Sequence, residues 1–307
     1  MLDVRADDNS DMMRSSTGEN IKMEYDYATQ TFTVLSSAER QKEENPERSN
    51  NYSKTSAEYV PDTLSSIPPS DISVAADFGD WHTVSDATAG RYRNTVRILA
   101  RGEDGGTGYG TGFMIGPAAV ATAAHCIYGE DFGDDCIPTS ITVIPAPYYE
   151  ANPSNPSISA TATGFVVNSN WTNDFDYKYD WAIIKLNANI GNNVGWLGLR
   201  YQESSYNNTA IRVQGYPFSI NGAFNTTMYY TDGTITSSQT KILKSNNTCT
   251  AGGMSGGPVY FYLSGYGYTA IALLQGAAPA SSPTHNVFTR ITGDLYNDFV
   301  SYRDYSV

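Results

Sequence analysis

The 307-residue chain is 40% hydrophobic and 17% charged, enough apolar material for a core in one or two domains. Its formal net charge of −13 argues against nucleic acid or an anionic membrane surface as partner. No apolar run reaches the ~18 residues that a spanning helix needs, so no membrane insertion is expected. The opening stretch, Met1 to Asp8, has no apolar h-region. This leaves two options, a cytosolic protein or one whose signal peptide is absent from this sequence. Three cysteines are too few for a disulfide scaffold. Cys126 and Cys136 are close enough in sequence to close a small loop, and that bond is expected; Cys249 is then odd. Low Lys and Cys content, with many Tyr, Asn, Ser, Thr and Gly, fits an exported all-β protein better than a cytosolic α/β enzyme.

Residues 1–73 differ from the rest of the chain. They carry 14 acidic against 7 basic residues and almost no glycine, and they end in Ser65-Ser66-Ile67-Pro68-Pro69-Ser70, which reads as a linker. Lys22 to Tyr27 and Phe32 to Leu35 can pair as a hairpin, whereas Ala38 to Asn50 is charged and either helix-permissive or unstructured. A disordered tail and a removable pro-segment both fit this composition.

From Val74 the pattern becomes short β-type runs between Gly, Asn, Asp and Pro clusters. In chain order the expected strands are 95–100, 110–115, 119–122, 140–144, 162–167, 181–186, 210–216, 228–230, 259–263, 269–274 and 287–290. A helix is expected over 292–302, where Leu295, Phe299 and Tyr302 recur at i, i+4 and i+7. So many short strands with one terminal helix describe an all-β barrel protein.

Three stretches carry chemistry. Gly252-Gly253-Met254-Ser255-Gly256-Gly257-Pro258 puts a serine on a turn too tight for most side chains. Such a turn can expose Oγ and aim the amides of Gly253 and Ser255 at one spot, an oxyanion hole; it also fits a plain Gly-rich hairpin loop. His125 ends the small-residue run Ala121-Thr122-Ala123-Ala124, at a packed junction suited to a general base or to a satisfied core histidine. A base of this kind needs a carboxylate to fix its tautomer. Asp180, immediately before the apolar run Trp181 to Leu186, is the natural candidate; Asp174 and Asp176 compete from a polar loop. His82 reads as a surface or packing residue.

Together these motifs, in the order His, Asp, Ser, resemble the chymotrypsin-fold serine endopeptidases, and most of all their bacterial glutamyl endopeptidase branch. The resembling stretches are Thr122 to Cys126, Tyr179 to Leu186 and Gly252 to Pro258, with support from Ile190 to Trp196 and Gly215-Tyr216-Pro217. The resemblance covers roughly Val74 to the C-terminus. It implies two antiparallel six-stranded β-barrels, approximately 74–190 and 191–290, with the triad in the cleft between them and the C-terminal helix over 292–302. It also implies acyl transfer to Ser255, with His125 as base, Asp180 as its orienter, a protein or peptide substrate, and no metal or organic cofactor.

Two departures are visible. Leu274 stands where the branch has a histidine that binds the substrate glutamate, although Thr250 matches a pocket-wall threonine; Gln275, Gly276 and His285 are nearby donors or walls. Met254 cannot pair with a liberated N-terminal amine. The resemblance places the first mature residue near Val74, where its amine would reach the pocket, and makes 1–73 an inhibitory or chaperoning pro-segment removed by an activating protease. The expected protein is therefore a secreted serine endopeptidase made as a zymogen, with a catalytically silent, protease-like binding module as the alternative.

Overall fold

In the computed structural model the described residues are 21–35, 53–61, 82–152, 154, 156–220, 223–224, 227–278 and 284–307. The Ser/Pro-rich linker, the charged 38–50 stretch and Val74 lie outside them. The expected hairpin is present as β1 (Lys22–Asp26) and β2 (Thr31–Leu35). Its turn is held by the Asp26 carboxylate, which accepts from the amides of Ala28 and Thr29 at 2.8 and 3.0 Å. Two short strands come next, β3 (Ser53–Ser56) and β4 (His82–Thr83).

The first barrel is built from β5 (Thr95–Arg101), β6 (Thr107–Met114), β7 (Ala119–Thr122), β8 (Ser140–Pro145), β9 (Ala160–Asn168) and β10 (Ala182–Leu186). They run in the order β10-β7-β6-β5-β8-β9, and β9 pairs with β10 to close the ring. Val96, Ile98 and Ala100, two apart on β5, are fully buried in its interior, as the two-residue period of a strand requires. Along β9 the first half alternates buried and exposed residues, while the second half is buried throughout. The cause is β1, which pairs with β9 from Lys22↔Asn168 to Asp26↔Gly164.

The second sheet contains β11 (Gly198–Gln202), β12 (Ala210–Gly215), β15 (Tyr229–Thr234), β16 (Ser237–Ser238), β17 (Ile242–Ser245), β18 (Pro258–Leu263), β19 (Gly267–Ala278) and β20 (His285–Arg290). A small separate hairpin, β13 (Ser219–Ile220) with β14 (Ala223–Phe224), leaves it between β12 and β15. The path β16-β17-β20-β19-β18-β12-β15-β4 curls into a half-barrel around Ile211, Val213, Leu243, Val259, Ile271 and Phe288. The two expected barrels are thus one closed ring and one curled half-barrel. Each expected strand is found; β3, β4, β11, β13, β14, β16 and β17 are additional, and most are too short or too polar to carry a strand signal.

Three short helices, α1 (Ala146–Ala151), α2 (Ser169–Asp174) and α3 (Gly191–Val194), lie in the loops. The terminal helix α4 (Gly293–Ser301) starts at Thr292, whose hydroxyl accepts from the Leu295 amide at 3.3 Å. Its buried Leu295 and Phe299 face inward, and the Phe299 ring meets Trp181 edge-on at 6.2 Å. The chain therefore ends against the first barrel, after the second sheet is complete.

Candidate active site

The turn carrying Ser255 is shaped by what its glycines exclude. Gly253 and Gly256 have φ of +93° and +83°, the left-handed region where a side chain is strained. A Cβ on Gly256 would lie 2.1 Å from the Thr111 carbonyl oxygen and 2.8 Å from the Ala123 amide, both in the first barrel. The Ser255 turn thus belongs to the second sheet but is seated in the first. The Thr111 amide fixes it there by donating to the Ser255 carbonyl at 2.9 Å, while the Gly256 amide ties it to its own sheet through the Leu274 carbonyl at 2.7 Å.

Both carbonyls flanking the Gly253 amide are also tied. Gly252 O accepts from the Phe218 amide, and Gly253 O accepts from the Thr111 hydroxyl at 2.8 Å. That hydroxyl in turn accepts from the Tyr216 amide at 2.9 Å. Among the described residues, the amides of Gly253 and Ser255 donate to no protein acceptor. Two such uncommitted donors on a locked turn are what an anion-holding pair requires.

His125 stands on a 3₁₀ turn, Ala124–Cys126, just after β7. Asp180 reaches it twice: Oδ1 accepts from the His125 amide at 3.0 Å, and Oδ2 lies 2.7 Å from Nδ1. A carboxylate facing Nδ1 puts the proton of the neutral ring there and leaves Nε2 as the base. Asp180 is buried at the end of the Tyr177–Tyr179 turn, its carbonyl accepting from the Thr289 hydroxyl at 2.9 Å. Desolvation is the largest single influence on the imidazole and pulls its pKa down. The Asp180 carboxylate, with a smaller contribution from Cys126, outweighs it and holds His125 well above 6.5. Of the competing acids, Asp176 caps the Lys178 amide at 3.1 Å and neither it nor Asp174 contacts His125.

Ser255 is joined to this pair through its neighbours, with the Cys126 thiol donating to the Ser255 carbonyl at 3.4 Å. The hydroxyl of Ser255 itself donates to the Gln275 carbonyl at 2.9 Å. That carbonyl is available because the register of β19 slips between Leu274 and Gly276, making Gln275 the extra residue of a bulge. The Gln275 amide is anchored on the Thr289 hydroxyl at 2.8 Å and on the Tyr177 carbonyl.

The expected Cys126–Cys136 bond is not formed, and both are free thiols. The Cys126 sulfur is turned under the Ser255 turn, filling the space a side chain at Gly110 would need, while Cys136 sits in a left-handed loop residue with φ +58°. Among the predicted pocket residues, Leu274 is fully buried in the second sheet's core, and Gly276 faces open space. Thr250 donates its hydroxyl to Asn286 Oδ1, whose amide nitrogen is held by the Thr248 carbonyl at 2.7 Å. His82 is exposed and stacks on Tyr230 at 5.0 Å; His285 contacts Thr284, away from Ser255. Thr111, Asn286 and Thr289 are supports that sequence reasoning missed. Only Thr111 left a trace, as a hydroxyl between Gly110 and Gly112 in a glycine-rich strand.

A closed barrel and a half-barrel, with a serine turn from one seated against a histidine–aspartate pair on the other, define the chymotrypsin fold of serine peptidases. Comparison with known proteins agrees. The trypsin family profile matches residues 84–300. An extracellular metalloprotease of Bacillus subtilis (strain 168) is 35% identical over 217 residues, covering 70% of this chain and 65% of that protein. A glutamyl endopeptidase of Bacillus licheniformis is 31% identical over 229 residues, covering 73% of this chain and 67% of that protein. The chain thus spans about two thirds of the length of these relatives. Among solved structures, a Glu endopeptidase in complex with MPD superposes with a TM-score of 0.60 at 24% identity, covering 74% of this chain and 98% of that one. The protease Anisep from Arthrobacter nicotinovorans gives 0.52 at 19% identity, covering 68% and 96%. The chain belongs to the trypsin family, on its glutamyl endopeptidase branch. Among the described residues, no cluster of three or more His, Cys, Asp or Glu is placed to hold a metal ion, and no helix is long and apolar enough to cross a membrane.

Proposed function

We propose that this chain is a secreted serine endopeptidase in which Ser255, His125 and Asp180 cleave peptide bonds by acyl transfer. The observation that carries the reading is the double contact from Asp180 to His125, which fixes the ring and its tautomer beside the Ser255 turn. On substrate entry the Ser255 hydroxyl leaves the Gln275 carbonyl for Nε2 of His125. It gives up its proton there as Oγ attacks the scissile carbonyl carbon. The carbonyl oxygen becomes an anion held by the Gly253 and Ser255 amides, a stabilisation of about 3 kcal/mol per donor in related sites. His125 then passes the proton to the leaving amine, and water repeats the sequence to release the acid.

The branch makes glutamate and aspartate the first residues to test on the acyl side of the cut. The wall reads differently from the branch, since Leu274 is buried and the Thr250 proton is committed to Asn286. A carboxylate would therefore need a donor from elsewhere, and the amine of Val74 is the one this reading supplies. Residues 1–73 are on this reading a precursor segment, cut near Ser73–Val74 by an activating protease. Met254 is fully buried in the second core and takes no part in an ion pair with the new terminus.

A second reading, a silent binding module, draws on the Ser255 hydroxyl being engaged with Gln275. A serine-directed fluorophosphonate separates the two. Labelling of Ser255 that disappears in Ser255→Ala is the expected result; no adduct before or after removal of 1–73 would support the silent module. Cleavage mapping on a peptide library then reads specificity. Cuts that avoid Glu and Asp would sink the glutamyl preference and leave the peptidase standing.

A further inference from the structure

The described parts of the segment ahead of the protease domain, 21–35 and 53–61, are built into its sheets at two places. β1 extends the first barrel along β9, and β3 pairs with β11 from Leu199↔Ser56 to Gln202↔Ser53, so that each half of the protein gains a strand. From β1 the segment also reaches the terminal helix, where Lys22 pairs with Asp298, and the first barrel, where Glu24 pairs with Lys185 of β10. Arg303, just beyond α4, donates to the Ser56 hydroxyl at 3.1 Å and to the Ala57 carbonyl. Further along, Tyr59 stacks on Trp196 with ring centroids 4.2 Å apart. Among the described residues, no hydrogen bond or ion pair joins positions 21–61 to His125, Asp180 or Ser255.

The protease domain is cut to receive this segment. Side chains at Gly164, Gly195 and Gly198 would put Cβ atoms 2.3 Å from the Tyr25 carbonyl, 2.1 Å from the Tyr59 carbonyl and 2.6 Å from the Ser56 carbonyl. These are backbone-to-backbone approaches that cannot be relieved by moving a rotamer. Met23 and Tyr25 are 2% and 8% exposed, and the Tyr25 ring stacks on Phe165 at 5.2 Å, so the segment also supplies core. Taking it away would bare two strand edges, leave Lys185 and Asp298 without their partners, and open the packing over Phe165.

We infer that residues 21–61 stay on the protease after the cut between them and the catalytic domain, as a second, non-covalent chain that braces both barrels. The inference rests on the reading of 1–73 as a cleaved precursor segment. It makes that segment a permanent subunit and not an inhibitor lodged in the active site. The partner is defined by its chemistry: two extended strands, two aromatic anchors (Tyr25 and Tyr59), charges matched to Lys185 and Asp298, and neutral acceptors for Arg303.

The test uses the full chain carrying Ser255→Ala, which prevents self-digestion, with a recognition sequence for a site-specific protease placed between Pro61 and His82. After cutting, the expected result is equimolar co-elution of both fragments in size-exclusion chromatography, identified by mass spectrometry, with separation only in denaturant. Elution of the 82–307 portion alone and folded would overturn the inference. A second variant, Tyr25→Ala in the same chain, is expected to release the cut segment about tenfold faster or more, as loss of a buried aromatic anchor does at interfaces. An unchanged release rate would show that the seat on β9 does not hold it. N-terminal sequencing of the naturally secreted protein is read separately. Absence of a cut near Ser73–Val74 defeats the precursor reading, while the engineered cut still decides retention.

Discussion

Asp180 acts on His125 by charge and by geometry at once, and replacing it separates the two. Asp180→Asn keeps the shape but offers Nδ1 a donor or acceptor in place of a carboxylate. The expected loss in kcat is about four orders of magnitude, measured on any cleaved peptide, with KM little changed. The raised pKa of His125 also has a sign. The proton that blocks catalysis is held more tightly than usual, so the acid limb of the kcat/KM profile should fall above the ordinary imidazole range near 6.5. In Asp180→Asn the titration of His125 should move down, and an NMR titration of the ring follows it directly. The same proton favours the fold. This contribution to stability is complete below the unfolded pKa and is lost as pH rises through the folded one, opposite to the trend in activity. Thr111 offers a quieter test. Thr111→Val removes the donor to Gly253 O and the acceptor for the Tyr216 amide, loosening the oxyanion turn without touching the triad. The expected result is kcat lower by about tenfold to a hundredfold at similar KM, with recovery in Thr111→Ser. Activity lost in Thr111→Ser but kept in Thr111→Val would show that the methyl packing, and not the hydroxyl, is what matters.

At the scale of elements, the His125–Asp180 contact and the Ser255 turn were legible because each residue sits at a strand boundary with a composition of its own: small residues before His125, an apolar run after Asp180, glycines around Ser255. Strands with apolar alternation were legible for the same reason. β11 and β3 were not, since Gly198–Gln202 and Ser53–Ser56 are defined by each other and not by any hydrophobic pattern. The bulge at Gln275 was equally hidden, because a register slip depends on both strands of a ladder. The Cys126–Cys136 expectation failed on orientation: proximity in sequence says nothing of where a sulfur points. Glycine turns give the sharpest element-level test. Gly256→Ala forces a Cβ into the Thr111 carbonyl at a positive φ, and should cost about 3 kcal/mol or more and abolish fluorophosphonate labelling. Thr292→Ala removes the α4 cap and should cost only about 1 kcal/mol, with labelling retained. Chemical denaturation reads both, and similar losses for the two would contradict the seating of the Ser255 turn.

For the whole molecule, the devices that join the two halves include the Ser255 turn resting on β6, α4 returning to the first barrel, and the N-terminal strands bridging both. A chain shortened to begin after Pro61 should therefore unfold earlier. A loss of about 2–3 kcal/mol, modest for two strands and two ion pairs, corresponds to a drop in Tm of about 5–10 °C in a protein of this size. A shortened chain with the melting temperature of the full one would mean that the strands rest on the surface without supporting it.

The Gly256 contact has a further consequence for how such a protein survives among copies of itself. Because the reactive turn of one half needs the other half as its bed, a molecule that has begun to come apart loses its blade before it loses its shape. Frayed copies can be digested but cannot digest. Damage in a crowded population is therefore confined to the copies that have already failed.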